Sequence, residues 1–280
     1  MKRVLVTGAA GYIGRHVVDQ LIAAGCQVIA ADFLQKGINP KAEYTSESIF
    51  SGADNIYDRL GRPDCLIHLA WRNGFDHNAV SHMEDLSDHV RFLYNMIDGG
   101  LPTLSVMGTM HEVGYWEGAI NADTPCNPQT QYGLAKVTLR KTLEMYLQDK
   151  KTSLRWLRAY YIYGDDAHGS SIFSKIYRAA QNGERSFPFT TGENKYDFIH
   201  IDELAKKIVA ATFQNHYEGI INVCSGKPIS LAEQVEKYIK GNALNISLEY
   251  GAFPNRKYDS PAVWGNPEII NDILENLEKY

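Results

Sequence analysis

The sequence predicts an α/β fold, a doubly wound parallel sheet with a smaller region built partly from the C-terminal end. Three observations predict it. Short apolar runs alternate with stretches whose apolar residues recur at helical spacing, a glycine-rich turn joins the first run to the first helical stretch, and the alternation breaks at Asp165–Gly192 and again from Gly226 onward. Strands that alternate with helices are joined by crossovers, which yields a mostly parallel sheet covered on both faces.

The first strand is the run Val4-Leu5-Val6, apolar throughout as a strand buried on both faces should be. Ile13, Val17, Val18, Leu21 and Ile22 then follow a helical period, and Gly25 ends that helix. Further strands read Gln27–Ala31, Cys65–Ala70, Thr103–Val106, Leu154–Tyr160 and Ile220–Val223. The intervening helices include Asp88–Ile97, Tyr132–Leu147 and Asp202–Phe213.

The chain has 280 residues, 44% hydrophobic and 22% charged, ample for a sizeable core. A net charge of −5 supplies no overall positive field, so nucleic acid and membrane surfaces are not expected partners. A phosphorylated substrate must be held by local cations. Cys26, Cys65, Cys126 and Cys224 show no paired spacing and read as reduced thiols; neither a disulfide nor a metal site is expected. A strand begins directly after Met1, Lys2 and Arg3, and no apolar run reaches the roughly 18 residues of a membrane helix. A cytoplasmic location is the default expectation.

Thr7-Gly8-Ala9-Ala10-Gly11-Tyr12-Ile13-Gly14 joins strand to helix with its glycines spaced G-x-x-G-x-x-G. Glycine lets the backbone turn tightly and a pyrophosphate touch the helix N-terminus, where N–H groups and the helix dipole favour negative charge. Asp32 ends the second strand, near the roughly 20-residue offset of a ribose-binding acid. Its carboxylate would accept from a ribose 2′-hydroxyl and repel a 2′-phosphate, which favours NAD(H) over NADP(H). Arg15 and Lys36 read as solvent-facing charge, close enough to soften that preference. These features expect a Rossmann dinucleotide-binding domain over 1–164 and 197–224, with 165–196 and 225–280 as the substrate-binding region.

Tyr132 and Lys136 stand at i and i+4 on a predicted helix and share one face. A nearby ammonium stabilises a phenolate, so the spacing predicts that Lys136 lowers the Tyr132 pKa and fits the phenol to exchange a proton with an alcohol or ketone. The lysine also has the reach to meet a nicotinamide ribose. Thr109, just past the preceding strand, is the expected third member, its hydroxyl bonding the reacting oxygen.

Together these features resemble the extended short-chain dehydrogenase/reductases, the NAD-dependent epimerase/dehydratase group, over nearly the whole chain. His68-Leu69-Ala70 is similar to the family's strand end beside the cofactor. Leu157-Arg158-Ala159-Tyr160-Tyr161-Ile162-Tyr163-Gly164, Asp197–Ala205 and Asn222-Val223-Cys224-Ser225-Gly226 resemble three further family segments. The resemblance implies a nucleotide-diphosphate sugar held between the cofactor domain and the small region, and it makes a homodimer possible. It adds Tyr12, Ile13, Leu69, Ala70 and Trp71 to the cofactor contacts, puts Ser48-Ile49 where the family contacts adenine, and sets His89 where it carries a helix Asn. On the substrate side it implies Tyr161, His111, Lys195 (beside Tyr196, where the family often has an Arg) and Arg256, whose planar fork suits a diphosphate. Phe187 and Phe189 either line a nucleobase pocket or pack under the small region. His111 and His168 are weaker candidates.

The dehydratases of this family follow their catalytic Thr with Asp and Glu, whereas Thr109 is followed by Met110 and His111; Glu112 would substitute only in a shifted loop. The expected activity is therefore NAD(P)H-dependent reduction of the 4-keto group of a nucleotide-linked 6-deoxyhexose, dTDP in first place. The segment Trp71-Arg72-Asn73-Gly74-Phe75 also resembles bacterial deoxysugar reductases of the talose/fucose type. A 4-epimerase that retains its NAD would use the same residues and is the alternative, with a dehydratase behind it. A non-catalytic NAD(H) sensor would need none of Thr109, Tyr132 and Lys136.

Overall fold

The computed structural model describes every residue except 165, 166, 168, 170, 255–259 and 278–280. Seven strands form the main sheet: β1 (Arg3–Thr7), β2 (Gln27–Ala31), β3 (Glu43–Thr45), β4 (Cys65–His68), β5 (Thr103–Thr109), β7 (Ser153–Ala159) and β11 (Gly219–Val223). Their order is β11-β7-β5-β4-β1-β2-β3, and every neighbouring pair is parallel. The chain winds outward from β1 in one direction to β3, then resumes at β4 on the other side. That reversal leaves a crevice at the carboxyl ends of β1 and β4.

Both faces are covered, as the unbroken apolar runs require. Val4 and Val6 of β1 point into one core, with Val17, Val18 and Leu21 of α1 (Tyr12–Ala23), Ile201, Leu204 and Ile208 of α7 (Ile201–Phe213) and Ile270 of α9 (Glu268–Leu277). Leu5, between them, points into the other, with Ile56 of α2 (Ile56–Arg59), Phe92, Leu93 and Met96 of α4 (Leu86–Asp98) and Leu139 and Leu143 of α5 (Gln131–Tyr146). A one-residue alternation thus feeds two layers from one strand. The short α3 (Ser81–Glu84) precedes α4. All four cysteines are free thiols.

A second, five-stranded sheet contains β6 (Gly118–Ile120), β8 (Tyr161–Tyr163), β10 (Lys195–His200), β12 (Pro228–Ser230) and β14 (Ala262–Gly265). Its core includes Phe173 and Ile176 of α6 (Ile172–Gln181) and Val235 and Tyr238 of α8 (Leu231–Gly241), and β9 (Ser186–Pro188) pairs with β13 (Ser247–Glu249) beside it. The sequence placed residues from 197 to 224 with the main sheet. Helix α7 and β11 do return there, but β10 pairs with β8, β12 and β14 instead. Asp197 is the physical reason. Fully buried, its carboxylate accepts from the Ser225 N–H and hydroxyl, the Gly226 N–H and the Gly265 N–H, and so ties β10 to the turn after β11 and to β14. No described helix is long and apolar enough to cross a membrane.

Candidate active site

A cleft of about 1400 Å³ opens at the carboxyl ends of β1, β4, β5 and β7 and runs toward the second sheet. It exceeds the few hundred to about 1,000 Å³ of a usual small-molecule pocket, which leaves room for two ligands.

One end is the glycine turn. Gly8 has φ +70, and a Cβ there would lie 2.7 Å from the Ala70 nitrogen, so only glycine lets the loop after β4 close on the turn. A Cβ on Gly14 would collide with the Gly8 carbonyl oxygen. Helix α1 is capped by Gly11 without a side-chain hydrogen bond, and no acid stands in its first turn. The positive pole of the helix is therefore left to face the cleft, lined here by Gly8, Gly11, Tyr12, Ile13 and Gly14. This cradle fits a dinucleotide pyrophosphate. Asp32 accepts from the Ala10 N–H at 2.9 Å, which places the acid at the far edge of the turn and makes it a brace of the turn as well. Gly14→Ala is expected to lower Tm by on the order of 10 °C and to weaken NADH binding at least about tenfold, because a clash with backbone cannot be relieved by a rotamer. Thermal melts and a fluorescence titration check this.

The wall opposite α1 carries the reacting groups. Thr109 ends β5, and the Gly133 position of α5 sits so close to the His111 carbonyl that a Cβ would clash there. This packing draws Tyr132 and Lys136 against the end of β5. Lys136 is 2% exposed; its Nζ donates to the Met107 carbonyl at 2.9 Å and lies 3.7 Å from the centre of the Trp71 ring. Burial pulls its pKa down to about 7, against the opposing pull of the Glu112 carboxylate. Burial also pushes the Tyr132 phenol above its ordinary value, and the Glu112 charge adds to the rise; a hydrogen bond with the Thr109 side chain works the other way. The expectation that Lys136 lowers the phenol is thus corrected. In this dry wall desolvation is the largest influence on the phenol.

Trp71 covers Lys136 from the cleft side. Its ring stacks on His89 at 4.5 Å, and its Nε1 donates to His82 Nδ1 at 3.0 Å. His89 continues inward to His68 at 2.9 Å and from there to the Thr7 hydroxyl at 2.8 Å. His89 therefore sits behind Trp71 in a buried chain, outside the residues that border the cleft.

Among the other expected residues, Leu69, His111, Tyr161 and Phe187 border the cleft, whereas Ala70 does not and lies with its backbone against Gly8. Phe189 both borders the cleft and is 1% exposed in the second core, so the two readings of the pair are joint. Ser48 is exposed and Ile49 packs on the core of α4 and α5; neither reaches the cleft. Lys195 is corrected. It is exposed on β10, and strand alternation sends Tyr196 into the cleft in its place, 4.5 Å from Tyr161. Arg256 and His168 lie outside the described residues. Sequence reasoning missed His77, Lys175 and Asn194, which also line the cleft. The His77 ring stacks on Tyr132 at 14° and lies 4.2 Å from His111, and its carbonyl accepts from the Tyr132 N–H. Burial, and then the charge of His77, pull His111 down to about 3.

Residues 4–224 match the model of the NAD dependent epimerase/dehydratase family. The chain is 42% identical over 269 residues to a dTDP-6-deoxy-L-talose 4-dehydrogenase (NAD(+)) of Aggregatibacter actinomycetemcomitans, covering 94% of this chain and 98% of that protein. Its fold is similar to that of a UDP-N-acetylglucosamine 4-epimerase from Methanobrevibacter ruminantium, solved with UDP-N-acetylmuramic acid (TM-score 0.85, 21% identity, 97% of this chain and 91% of that one). It is also similar to a Thermus thermophilus UDP-glucose 4-epimerase solved with NAD (TM-score 0.81, 20% identity, 96% and 92%). With its doubly wound sheet, glycine cradle and Tyr-Lys wall, the chain belongs to the NAD-dependent epimerase/dehydratase family and is an NAD-dependent oxidoreductase of the extended short-chain dehydrogenase type.

Proposed function

We propose that the protein interconverts the 4-keto and 4-hydroxy forms of a dTDP-linked 6-deoxyhexose, and that reduction with NADH is the direction its site favours. One observation carries this reading: Thr109, Tyr132 and Lys136 line the same cleft as the glycine cradle, while the acid nearest to Thr109 in sequence is withdrawn from it. Glu112 is 0% exposed behind the wall and does not border the cleft. Elimination of water needs an acid–base group beyond the phenol; the acid of the turn after Thr109 is engaged behind the wall, and the carboxylate that does border the cleft is Asp76, beside His77. The name of the 42%-identical relative supports the sugar and the C4 chemistry.

The cofactor, when bound, supplies the hydride. Gly8, Gly11 and Gly14 would receive its pyrophosphate at the α1 N-terminus, with Asp32 at the ribose. Tyr132 would donate its proton to O4, and its burial-raised pKa keeps that proton in place at neutral pH. Thr109 would hold the same oxygen, and Lys136 would meet the nicotinamide ribose once Trp71 yields the space over its ammonium. The aromatic end, with Tyr161, Tyr196 and Phe187, would take the nucleobase, and Lys175 of α6 is a cation available to the diphosphate. The region around the second sheet is then the sugar-nucleotide side.

Asp32 carries the cofactor preference: kcat/KM with NADH should exceed that with NADPH by at least about tenfold, since a 2′-phosphate would meet a carboxylate. Equal values would contradict the role given to Asp32. For the activity itself, NADH absorbance is followed with a dTDP-4-keto-6-deoxyhexose. Stoichiometric loss supports the reading. Interconversion of C4 epimers with no net NADH loss, and cofactor retained through purification, would replace it with an epimerase.

A further inference from the structure

We propose that Glu112 is a positioning residue of this site, fixing Thr109 to the helix that carries Tyr132 and Lys136. The proposal rests on the roles given above to those three residues. Glu112 lies in the short helical turn Met110–Glu112 and closes a capping box, in which the Thr109 side chain accepts from the turn's backbone and the Glu112 side chain accepts from the Thr109 N–H. Its Oε1 receives the Thr109 N–H at 2.8 Å and the Trp156 Nε1–H of β7 at 2.8 Å. Its Oε2 lies 3.5 Å from Arg140 Nε and 3.4 Å from Arg158 Nη2. Arg140 is 3% exposed and Arg158 is 0% exposed. A surface capping box needs none of this. Here one carboxylate and two guanidinium groups are buried together, an arrangement that is costly to desolvate, and with Arg140 Nε and Arg158 Nε making no hydrogen bond the shared carboxylate charge is what holds both groups in place.

The placement gives the cluster its meaning. Tyr132, Lys136 and Arg140 follow one another at i, i+4 and i+8 on α5, so all three lie on one stripe of that helix. Arg140 is anchored beyond the stripe by Glu144 at 2.5 Å and by Cys126 Sγ at 3.2 Å, and Arg158 by the Asn121 carbonyl at 3.1 Å. Glu112 therefore links the Thr109 backbone to the same helix face that presents the phenol and the ammonium. Its charge reaches them too: it raises the pKa of both Tyr132 and Lys136. The other titratable groups around them are His77, His82 and His111 beside the Tyr132 ring and His68 and His89 behind Lys136.

The test is Glu112→Gln, read beside Thr109→Ala and Tyr132→Phe. The amide keeps an acceptor for the Thr109 N–H but loses the charge. Expected are a fall in kcat on the order of 10- to 100-fold from misplacement of the wall, an NADH Kd within about twofold of the parent because the glycine cradle is untouched, and a shift of the alkaline limb of the kcat–pH profile to lower pH. Removing a negative charge makes both the phenol and the ammonium lose their protons more readily, which sets the sign of that shift. A variant with parental kcat, or one with a lower Tm whose pH profile overlays the parent, overturns the proposal. Should Glu112→Gln not fold with two uncompensated guanidinium groups, Glu112→Gln/Arg140→Met removes one of them and is judged by the same profile. If Thr109→Ala and Tyr132→Phe are themselves fully active, the reading of the site fails, and that failure is distinct from loss of the Glu112 role alone.

Discussion

Tyr132→Phe is expected to lower kcat for sugar reduction by on the order of 10²- to 10⁴-fold, the span associated with loss of a positioned general acid. NADH affinity should stay within about twofold. The variant keeps the ring that stacks against His77 and removes only the hydroxyl, and the helix pole and glycines that would hold the pyrophosphate stand across the cleft. Because burial and the Glu112 charge hold the phenol above its ordinary value, Tyr132 is protonated through the neutral range and ready as a donor. The opposite reaction, oxidation of the alcohol, needs the phenolate and should gain as pH rises. Rates in both directions from about pH 6 to 10 check this. Near-parental turnover by Tyr132→Phe would remove the phenol from the chemistry.

The second large effect concerns acid stability. His68 and His89 are 1% and 2% exposed and hydrogen-bonded to each other. Burial, and then the charge of His89, push His68 well below its ordinary value; burial, and then the Lys136 charge, pull His89 down to about 3. Both are therefore buried neutral, while in the unfolded chain they take up protons near about pH 6.5. The unfolded state binds more protons below that value, so stability is full above about pH 6.5 and is lost as pH falls. One such group loses about 1.4 kcal/mol per pH unit, so by about pH 5 the pair contributes a loss of roughly 2 to 4 kcal/mol, the lower figure applying if one proton is shared. Against a total of about 5–15 kcal/mol this is a large fraction. Urea melts at about pH 7 and pH 5 measure it, and His89→Asn should flatten the slope. Equal stability at the two pH values would contradict the buried neutral pair.

Positions that follow from local spacing were legible in the sequence. The G-x-x-G-x-x-G turn, Asp32 and the Tyr132–Lys136 pair each need only a strand, a turn or a helix period to be placed, and Thr109 needs only the end of β5. Roles that depend on distant partners were not legible. Asp197 reads as part of a motif, but its four donors come from Ser225, Gly226 and Gly265. Glu112 reads as a displaced acid until Trp156, Arg140 and Arg158 are seen to surround it. Lys195 and Tyr196 are adjacent, and only the pleat of β10 decides which one faces the cleft. The pKa of Tyr132 failed as a sequence reading for a related reason: spacing reports the nearby lysine but not the burial that raises the phenol.

The most direct test of the central claim is isotopic. A dTDP-4-keto-6-deoxyhexose is reduced with NADH deuterated at the transferable position, and the product sugar is read by NMR. One deuterium at C4, with NADH consumed in equal amount and no change at C5 or C6, is the result this site predicts. Deuterium absent from C4, or water lost across C5 and C6, would contradict it.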